Sequence, residues 1–193
     1  MRYAQIRSMD ISNGEGIGIA LFVQGCHFHC KNCFNQDTWD FNGGKEWTRK
    51  IKNEFLELIE KPYIKRVSFL GGECLADENL EGVYDLIKNV KKIHPEKILW
   101  MYTGYTWETI FYPVTTGNVN FERNRLIKLR QDIISMCNVL IDGRYVHELR
   151  DMNLEFRGSS NQRVIDVQKS LRERKVILWK TNRQTSKTKR KSI

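Results

Sequence analysis

The chain has 193 residues, of which 40% are hydrophobic and 11% aromatic, so it fits one globular domain and not a disordered protein. Its longest apolar run, residues 17–23, is far too short to span a bilayer, and we expect no membrane segment. The formal net charge is +9, of which residues 180–193 contribute +6, so we expect a basic, disordered tail there and do not favour nucleic-acid binding by the rest of the chain.

Short apolar runs alternate with helical patterns along the chain. The apolar runs predict buried strands at 17–24, 65–70, 97–102 and 138–142, and the apolar spacing predicts helices at 47–60, 80–93, 126–136 and 164–171. Asp77 is predicted to cap the second of these helices. This alternation is typical of βαβ units and a parallel sheet. We expect one α/β domain over residues 1–175, with a loop insertion at about 112–124 that lacks apolar periodicity.

Glycine or polar residues follow each of the four predicted strands. The strand ends carry Gly25-Cys26, Gly71-Gly72-Glu73, Thr103-Gly104 and Asp142-Gly143. Any one of these glycines predicts no more than a tight turn. In parallel α/β folds, however, ligands bind at the carboxyl ends of the strands. The four ends together therefore indicate a binding site at that edge of the sheet.

Three cysteines, Cys26, Cys30 and Cys33, follow the first strand in the spacing C-x3-C-x2-C, with no fourth cysteine close by. Structural zinc sites use four protein ligands and protein-held iron–sulfur clusters use four cysteines, so three leave one metal position open. His27 and His29 lie between the cysteines and not at the separated positions of zinc motifs. The total of five cysteines is odd, and the first residues do not resemble a signal peptide, so we expect reduced thiols in the cytoplasm. An iron–sulfur cluster is favoured over zinc, disulfides or unrelated buried thiols.

The cysteine motif after the first strand, with Gly71-Gly72-Glu73 after the second, resembles the radical SAM superfamily. Further segments resemble the activases of the anaerobic (class III) ribonucleotide reductase within that superfamily; they are residues 10–16, 21–26, 33–35, 102–105, 139–144 and 157–163. The resemblance runs from about residue 2 to about residue 168. It implies a partial, open α/β barrel of the radical SAM type.

The resemblance also implies a chemistry. Cys26, Cys30 and Cys33 would hold a [4Fe–4S] cluster whose unique iron binds S-adenosylmethionine (SAM), and flavodoxin or a similar donor would reduce it. Cleavage of SAM would yield a 5′-deoxyadenosyl radical, which removes hydrogen from a glycine of the large reductase subunit, the expected partner. The expected SAM contacts are Asn32, Cys33, Phe34, Gly71, Gly72, Glu73, Thr103 and Asp142.

Two residues depart from the family pattern. Cys74 stands where the family has proline, and Asn32 stands where the activases often have glycine. Because Asn tolerates left-handed backbone angles, the turn at Asn32 is expected to survive. Cys74 and Cys137 are interpreted as small buried side chains, although Cys74 as a fourth thiol near the cluster stays open. Residues 161–163 are interpreted either as a docking surface for the reductase or as a cap of the last helix.

Two alternative functions remain open at this point. One is a radical SAM enzyme that acts on a different glycyl radical enzyme or on a small substrate. The other is a zinc-stabilised, basic binding module associated with nucleic acid. Metal analysis separates the module from both enzymes, since only the enzymes require iron and acid-labile sulfide.

Overall fold

The computed structural model describes residues 1–114 and 121–181, which form a mixed α/β domain with seven strands and five α-helices. The strands are β1 (Arg2–Asp10), β2 (Gly18–Val23), β3 (Lys45–Glu46), β4 (Arg66–Gly71), β5 (Ile98–Tyr102), β6 (Val139–Asp142) and β7 (Arg163–Asp166). The helices are α1 (Arg49–Glu60), α2 (Asp77–Ile93), α3 (Trp107–Phe111), α4 (Phe121–Met136) and α5 (Val167–Glu173). Within these described ranges, no helix combines the length and the apolar character needed to cross a bilayer.

All seven strands belong to one open sheet, in the order β3-β1-β2-β4-β5-β6-β7. The four central strands, β2, β4, β5 and β6, run parallel. The outer strands pair antiparallel: β1 with β2, β3 with β1, and β7 with β6. Because the central strands are parallel, their carboxyl ends meet at one edge of the sheet, as the sequence predicts. The α/β class is confirmed.

The main core lies between the helices and one face of the sheet. Side chains alternate along each strand, so every second strand residue faces the helices. Ile19, Leu21, Phe69 and Leu140 are fully buried on this face, together with residues of the helices. Burial of such apolar area is the dominant stabilising contribution to a fold of this kind.

The opposite face of the sheet carries a buried cation, Arg66, at the start of β4. Its guanidinium donates to Asp10 Oδ1 at 2.9 Å, to the Asp10 carbonyl at 2.7 Å and to the Asn13 carbonyl at 2.8 Å. A buried charge is tolerated only when it is paired and fully hydrogen-bonded. Arg66 therefore ties the loop after β1 to the amino end of the parallel strands.

The four predicted strands are confirmed to within one residue at each end. The predicted helix at 164–171 is wrong in its first three residues, because residues 163–166 form β7. These residues pair with β6 instead, and Asp166 then caps α5 by accepting a hydrogen bond from Lys169 N at 3.0 Å. Alternation of apolar residues over so short a stretch does not distinguish a strand from a helix.

The predicted cap at Asp77 is also wrong. The residue before α2 is Ala76, which has no side chain to cap the helix, and Asp77 lies in the first helical turn. Its carboxylate pairs there with Arg130 of α4 and lies at the positive end of the helix dipole. Both roles favour an acidic residue in the first turn. Asp77 therefore does mark the start of α2, but as its first residue and not as its cap.

Residues 115–120 of the expected loop insertion at 112–124 and residues 182–193 of the expected tail at 180–193 lie outside the described residues, and residues 121–124 belong to α4. Helix α4 begins at Phe121, five residues before its predicted start. Past the expected domain end at 175, Leu178 bridges to Ile165, and the Trp179 ring packs 6.0 Å from Trp100. The described fold therefore continues to residue 181.

Candidate metal centre

The first cysteine is held where the ends of β2 and β4 meet. Glu73 N donates to the Gly25 carbonyl at 2.7 Å, and Cys26 N donates to the Trp39 carbonyl at 3.0 Å. A Cβ atom on Gly72 would lie 2.4 Å from the Gly25 carbonyl oxygen. Only glycine allows the two strand ends to approach so closely. The backbone at Cys26 is therefore fixed by the adjacent strand.

The other two cysteines lie on a tight turn. Cys33 N donates to the Cys30 carbonyl at 3.0 Å, and Asn32 between them adopts a positive φ of 54°. Asn is among the few residues that tolerate this left-handed conformation, so the turn survives without glycine. Asn35 N donates to Cys33 Sγ at 3.4 Å. Such a hydrogen bond stabilises negative charge on sulfur.

Phe28 anchors the cysteine loop to the end of β5. Its ring lies edge-on to Tyr105 at 5.0 Å, and the Arg144 guanidinium lies 4.3 Å above it. A Cβ atom on Gly104 would lie 2.3 Å from the ring, so the glycine leaves the space that Phe28 fills. The loop between Cys26 and Cys30 is thus clamped at its midpoint.

The Glu73 carboxylate links the ends of β4 and β5. It is buried and accepts hydrogen bonds from Leu75 N at 2.8 Å, Thr103 Oγ1 at 2.7 Å and Gly104 N at 2.8 Å. Burial raises the pKa of Glu73, while the bond from Gly104 N and the other two oppose that change. The carboxylate thus holds the Thr103 side chain and the backbone of Gly104, against which Phe28 packs.

A cavity of about 570 Å³ joins most of the predicted site residues. It is lined by Cys26, Cys30, Cys33, Phe34, Gly71, Gly72, Glu73 and Thr103. The three thiols are free, and burial raises the pKa of Cys26 and Cys30. In the part of the chain that the structure describes, no three His, Cys, Asp or Glu side chains are grouped to hold a single metal ion. An iron–sulfur cluster makes a different demand, because it is polynuclear and held by thiolates.

Two predicted SAM contacts do not line this cavity. Asn32 lies in the turn between the cysteines, and Asp142 lines a neighbouring cavity of about 640 Å³. The buried Asp142 carboxylate accepts hydrogen bonds from Trp107 N at 2.8 Å and from Arg163 Nε at 3.0 Å. Arg163 also pairs with Glu108 and lowers the pKa of that carboxyl. Asp142 therefore serves contacts within the fold.

The lining residues that were not singled out from the sequence include Arg7, Tyr102, Arg144 and Arg157. Tyr102, Arg144 and Arg157 lie within segments that resemble the activases, which was a signal for them. The Tyr102 hydroxyl and Arg157 Nε are buried and have no hydrogen-bond partner among the described residues. Three free thiols that line one cavity fit a thiolate-held iron–sulfur cluster.

The remaining histidines and cysteines have local contacts. His27 Nε2 lies 2.9 Å from a Glu78 carboxylate oxygen, and His29 stacks on Trp39 at 4.6 Å. Cys74 and Cys137 are buried in the main core, as predicted for small side chains. Burial raises the pKa of Cys74 well above its usual value and that of Cys137 to about 12. Neither thiol lines the cavity.

Residues 161–163 brace the strand end at β6 and do not cap the last helix. Asn161 Nδ2 donates to the Arg144 carbonyl at 2.8 Å, and Gln162 Nε2 donates to the Gly143 carbonyl at 2.9 Å. The cap of α5 is Asp166. Docking of the reductase on residues 161–163 stays a prediction.

Comparison with known proteins places this site in a family. Residues 12–165 match the family described as a 4Fe-4S single cluster domain. The anaerobic ribonucleoside-triphosphate reductase-activating protein of Vibrio cholerae is 34% identical over 164 residues, which cover 84% of this chain and 96% of that protein. The protein of the same name from Escherichia coli strain K12 is 32% identical over 164 residues, which cover 84% of this chain and 96% of that protein. The protein of the same name from Enterobacteria phage T4 is also 32% identical over 164 residues, which cover 85% of this chain and 93% of that protein. The chain therefore belongs to the 4Fe-4S family of anaerobic ribonucleoside-triphosphate reductase-activating proteins.

Proposed function

We propose that this protein is a radical SAM oxidoreductase that generates a glycyl radical on the anaerobic ribonucleotide reductase. Its curated relatives are named as activating proteins of that reductase, and the chain contains a 4Fe-4S domain. The observation that carries the proposal is the cavity that brings Cys26, Cys30 and Cys33 to the Gly71-Gly72-Glu73 strand end. Three thiols beside a backbone edge free of side chains suit a cluster with one open metal position.

The three cysteines would hold the [4Fe–4S] cluster as thiolates, with Asn35 N stabilising the charge on Cys33. When bound and reduced, the cluster supplies the electron that cleaves SAM and yields an organic radical able to remove a hydrogen atom. We propose that SAM contacts Cys33, Phe34, Gly71, Gly72, Glu73 and Thr103, which line the cavity; Asn32 and Asp142, also expected as contacts, do not line it. Gly71 and Gly72 would offer backbone groups to the ligand, because neither has a Cβ atom in the way.

The finer architecture belongs to the same proposal. We infer a partial α/β barrel of the radical SAM type, since one face of the open sheet is covered by helices and the other encloses the cavity. The activase domain would comprise residues 1–175 together with the segment packed on it up to residue 181, and the basic tail at 180–193 would not contribute to catalysis. We propose that the protein works in the cytoplasm, with flavodoxin or a similar protein as electron donor and the large reductase subunit as partner.

The proposal is tested anaerobically on the reconstituted protein. Iron and acid-labile sulfide are measured first; the reduced protein then receives SAM, with and without the reductase. We expect 5′-deoxyadenosine and a reductase-dependent glycyl radical in the electron paramagnetic resonance spectrum. Deoxyadenosine without the glycyl radical would point to another glycyl radical enzyme or a small substrate. Stoichiometric zinc without sulfide would instead favour the zinc-stabilised module.

A further inference from the structure

The cavity contains two buried hydrogen-bond donors that the cluster and its cysteines do not use. Among the described residues, eight buried side-chain nitrogen or oxygen atoms have no hydrogen-bond partner, and two of these belong to residues that line the cavity. They are the Tyr102 hydroxyl and Arg157 Nε. A buried polar group without a partner is costly, and each case in a native fold calls for an explanation. A ligand with acceptor atoms would satisfy both once the neighbouring side chains shift enough to uncover the two donors, which are buried beside the cavity.

Both donors are held in place by the fold. Tyr102 is the last residue of β5, and its ring packs between two small apolar clusters on the face of the sheet opposite the helices. Arg157 Nη1 donates to the Gln162 carbonyl at 2.8 Å, which leaves Nε free. The preceding residue, Phe156, has a positive φ of 62° while its ring packs on Trp100 at 5.0 Å. Such strain in a bulky residue occurs chiefly at functional sites.

The charge around the cavity favours a neutral or acidic ligand. Three guanidinium groups line it, those of Arg7, Arg144 and Arg157, and the last two form no ion pair with any described residue. The two lining carboxylates are Glu73, which is enclosed by three donors, and Asp151, at the exposed rim. SAM carries a positive sulfonium besides its carboxylate, so this cationic lining favours it less than a ligand without positive charge. A peptide backbone offers a row of carbonyl acceptors and no positive charge.

The mouth of the same cavity is apolar and exposed. Phe34 is 57% exposed and Met152 is 73% exposed, and both line the cavity. Exposed apolar side chains that adjoin a polar interior are typical of protein interaction sites. Met is also adaptable in shape and is common at binding surfaces. The mouth thus suits side chains of a protein segment, while the interior suits its carbonyl groups.

We propose that Tyr102 and Arg157 are positioning residues that hydrogen-bond to backbone carbonyls of the reductase segment that carries the target glycine. This inference rests on the proposed function, which requires a segment of the partner protein to reach the cavity. The two donors fix where the segment lies relative to the cysteines. They set the affinity for the protein substrate and not the affinity for SAM.

The test compares Tyr102→Phe and Arg157→Lys with the wild type, each reconstituted with its cluster. Tyr102→Phe removes only a hydroxyl, and Arg157→Lys keeps the charge but removes Nε. The control is Tyr63→Phe, which removes a hydroxyl from an exposed tyrosine in the loop before β4, at the opposite edge of the sheet. Glycyl radical formation is measured against reductase concentration, reductase binding by calorimetry, and SAM binding by equilibrium dialysis without reductase.

We expect Tyr102→Phe to raise the half-saturating reductase concentration about fivefold to tenfold, as the loss of one buried hydrogen bond predicts. Arg157→Lys should act in the same direction, and Tyr63→Phe should match the wild type. SAM binding should be the same in all four proteins. An equal loss of SAM affinity in the variants would overturn the inference, because the donors would then belong to the SAM site. Variants that bind both reductase and SAM like the wild type would overturn it as well.

The two proposals fail in different ways. If the wild type binds and cleaves SAM but forms no glycyl radical on the reductase, the proposed function is refuted and this inference with it. If the wild type forms the radical and only the variants behave against expectation, the inference alone is wrong. Circular dichroism spectra and iron content of each variant establish that the fold and the cluster are retained.

Discussion

Gly104→Ala should weaken the clamp on the cysteine loop. The new Cβ atom would lie 2.3 Å and 2.4 Å from two carbon atoms of the Phe28 ring. Carbon atoms in contact are about 3.5–4.0 Å apart, so the ring has to move by about 1.2 Å or more. Its neighbours restrict that motion, since Tyr105 lies edge-on at 5.0 Å and Arg144 lies above the ring. The ring therefore cannot move without disturbing the loop between Cys26 and Cys30.

The energetic cost follows from these contacts. Overpacking of a well-packed site costs about 1–3 kcal/mol. The aromatic pair with Tyr105 contributes about 0.5–1.5 kcal/mol, and the exposed Arg144–Phe28 contact about 0.5–1 kcal/mol. We expect Gly104→Ala to lower the free energy of unfolding of the cluster-free protein by about 1–2 kcal/mol. Iron and sulfide bound after reconstitution should also fall, since the loop carries two of the three cysteines.

A double-mutant cycle separates this clash from a general effect of alanine in the loop. In a Phe28→Ala background there is no ring to displace, so Gly104→Ala should then change the free energy of unfolding by less than about 0.5 kcal/mol. Urea unfolding of the four cluster-free proteins gives the coupling energy, and iron and sulfide analysis gives the effect on the cluster. An equal cost of Gly104→Ala in both backgrounds would refute the clamp by Phe28.

Three further variants test other parts of the structure. Arg66→Met leaves the Asp10 carboxylate buried without its cation and should cost about 3–5 kcal/mol in urea unfolding; a loss below about 1 kcal/mol would contradict the buried pair. Cys30→Ser should fold, as judged by circular dichroism, but should hold neither iron nor sulfide and form no deoxyadenosine; wild-type iron content would exclude Cys30 as a ligand. Glu108→Gln should cost less than about 1 kcal/mol at pH 7, because Glu108 is half-exposed. Arg163 lowers the pKa of Glu108 in the folded state, so the contribution of the pair is present above the unfolded pKa and is lost as pH falls through the folded pKa; the difference in thermal unfolding should therefore shrink as the pH is lowered, and a difference that does not change with pH would refute the ion pair.

Signals within a few residues of one another were sufficient for much of this protein. The four parallel strands were predictable because each is a short apolar run ended by glycine or a polar residue, and fully buried strands read this way. The cysteine spacing was likewise local, and it predicted an open metal position before any fold was known. The glycines at 71 and 72 were predicted as turn residues and SAM contacts, whereas the close approach of Gly72 to the Gly25 carbonyl, 2.4 Å from a Cβ atom placed on Gly72, is seen only in the structure.

Long-range contacts were beyond the reach of these local patterns. Strand β1 shows little alternation because only two of its nine residues are buried, and β7 was predicted as helix because four residues do not define a period. The partners of Arg66 lie about 50 residues away along the chain, so its burial could not be inferred from its neighbours.

The interior of the cavity was decided only by the tertiary structure. Tyr102 and Arg157 are 55 positions apart, and only the strand order and the path of the segment after β6 bring them to one cavity. The sequence determined which chemical groups this protein offers at its strand ends, since side-chain type and local spacing suffice for that. The tertiary structure decided which of those groups form hydrogen bonds within the fold, as the Asp142 carboxylate does, and which stay free for a ligand. The reason is that packing, and not order along the chain, determines the hydrogen-bond partners of a buried group.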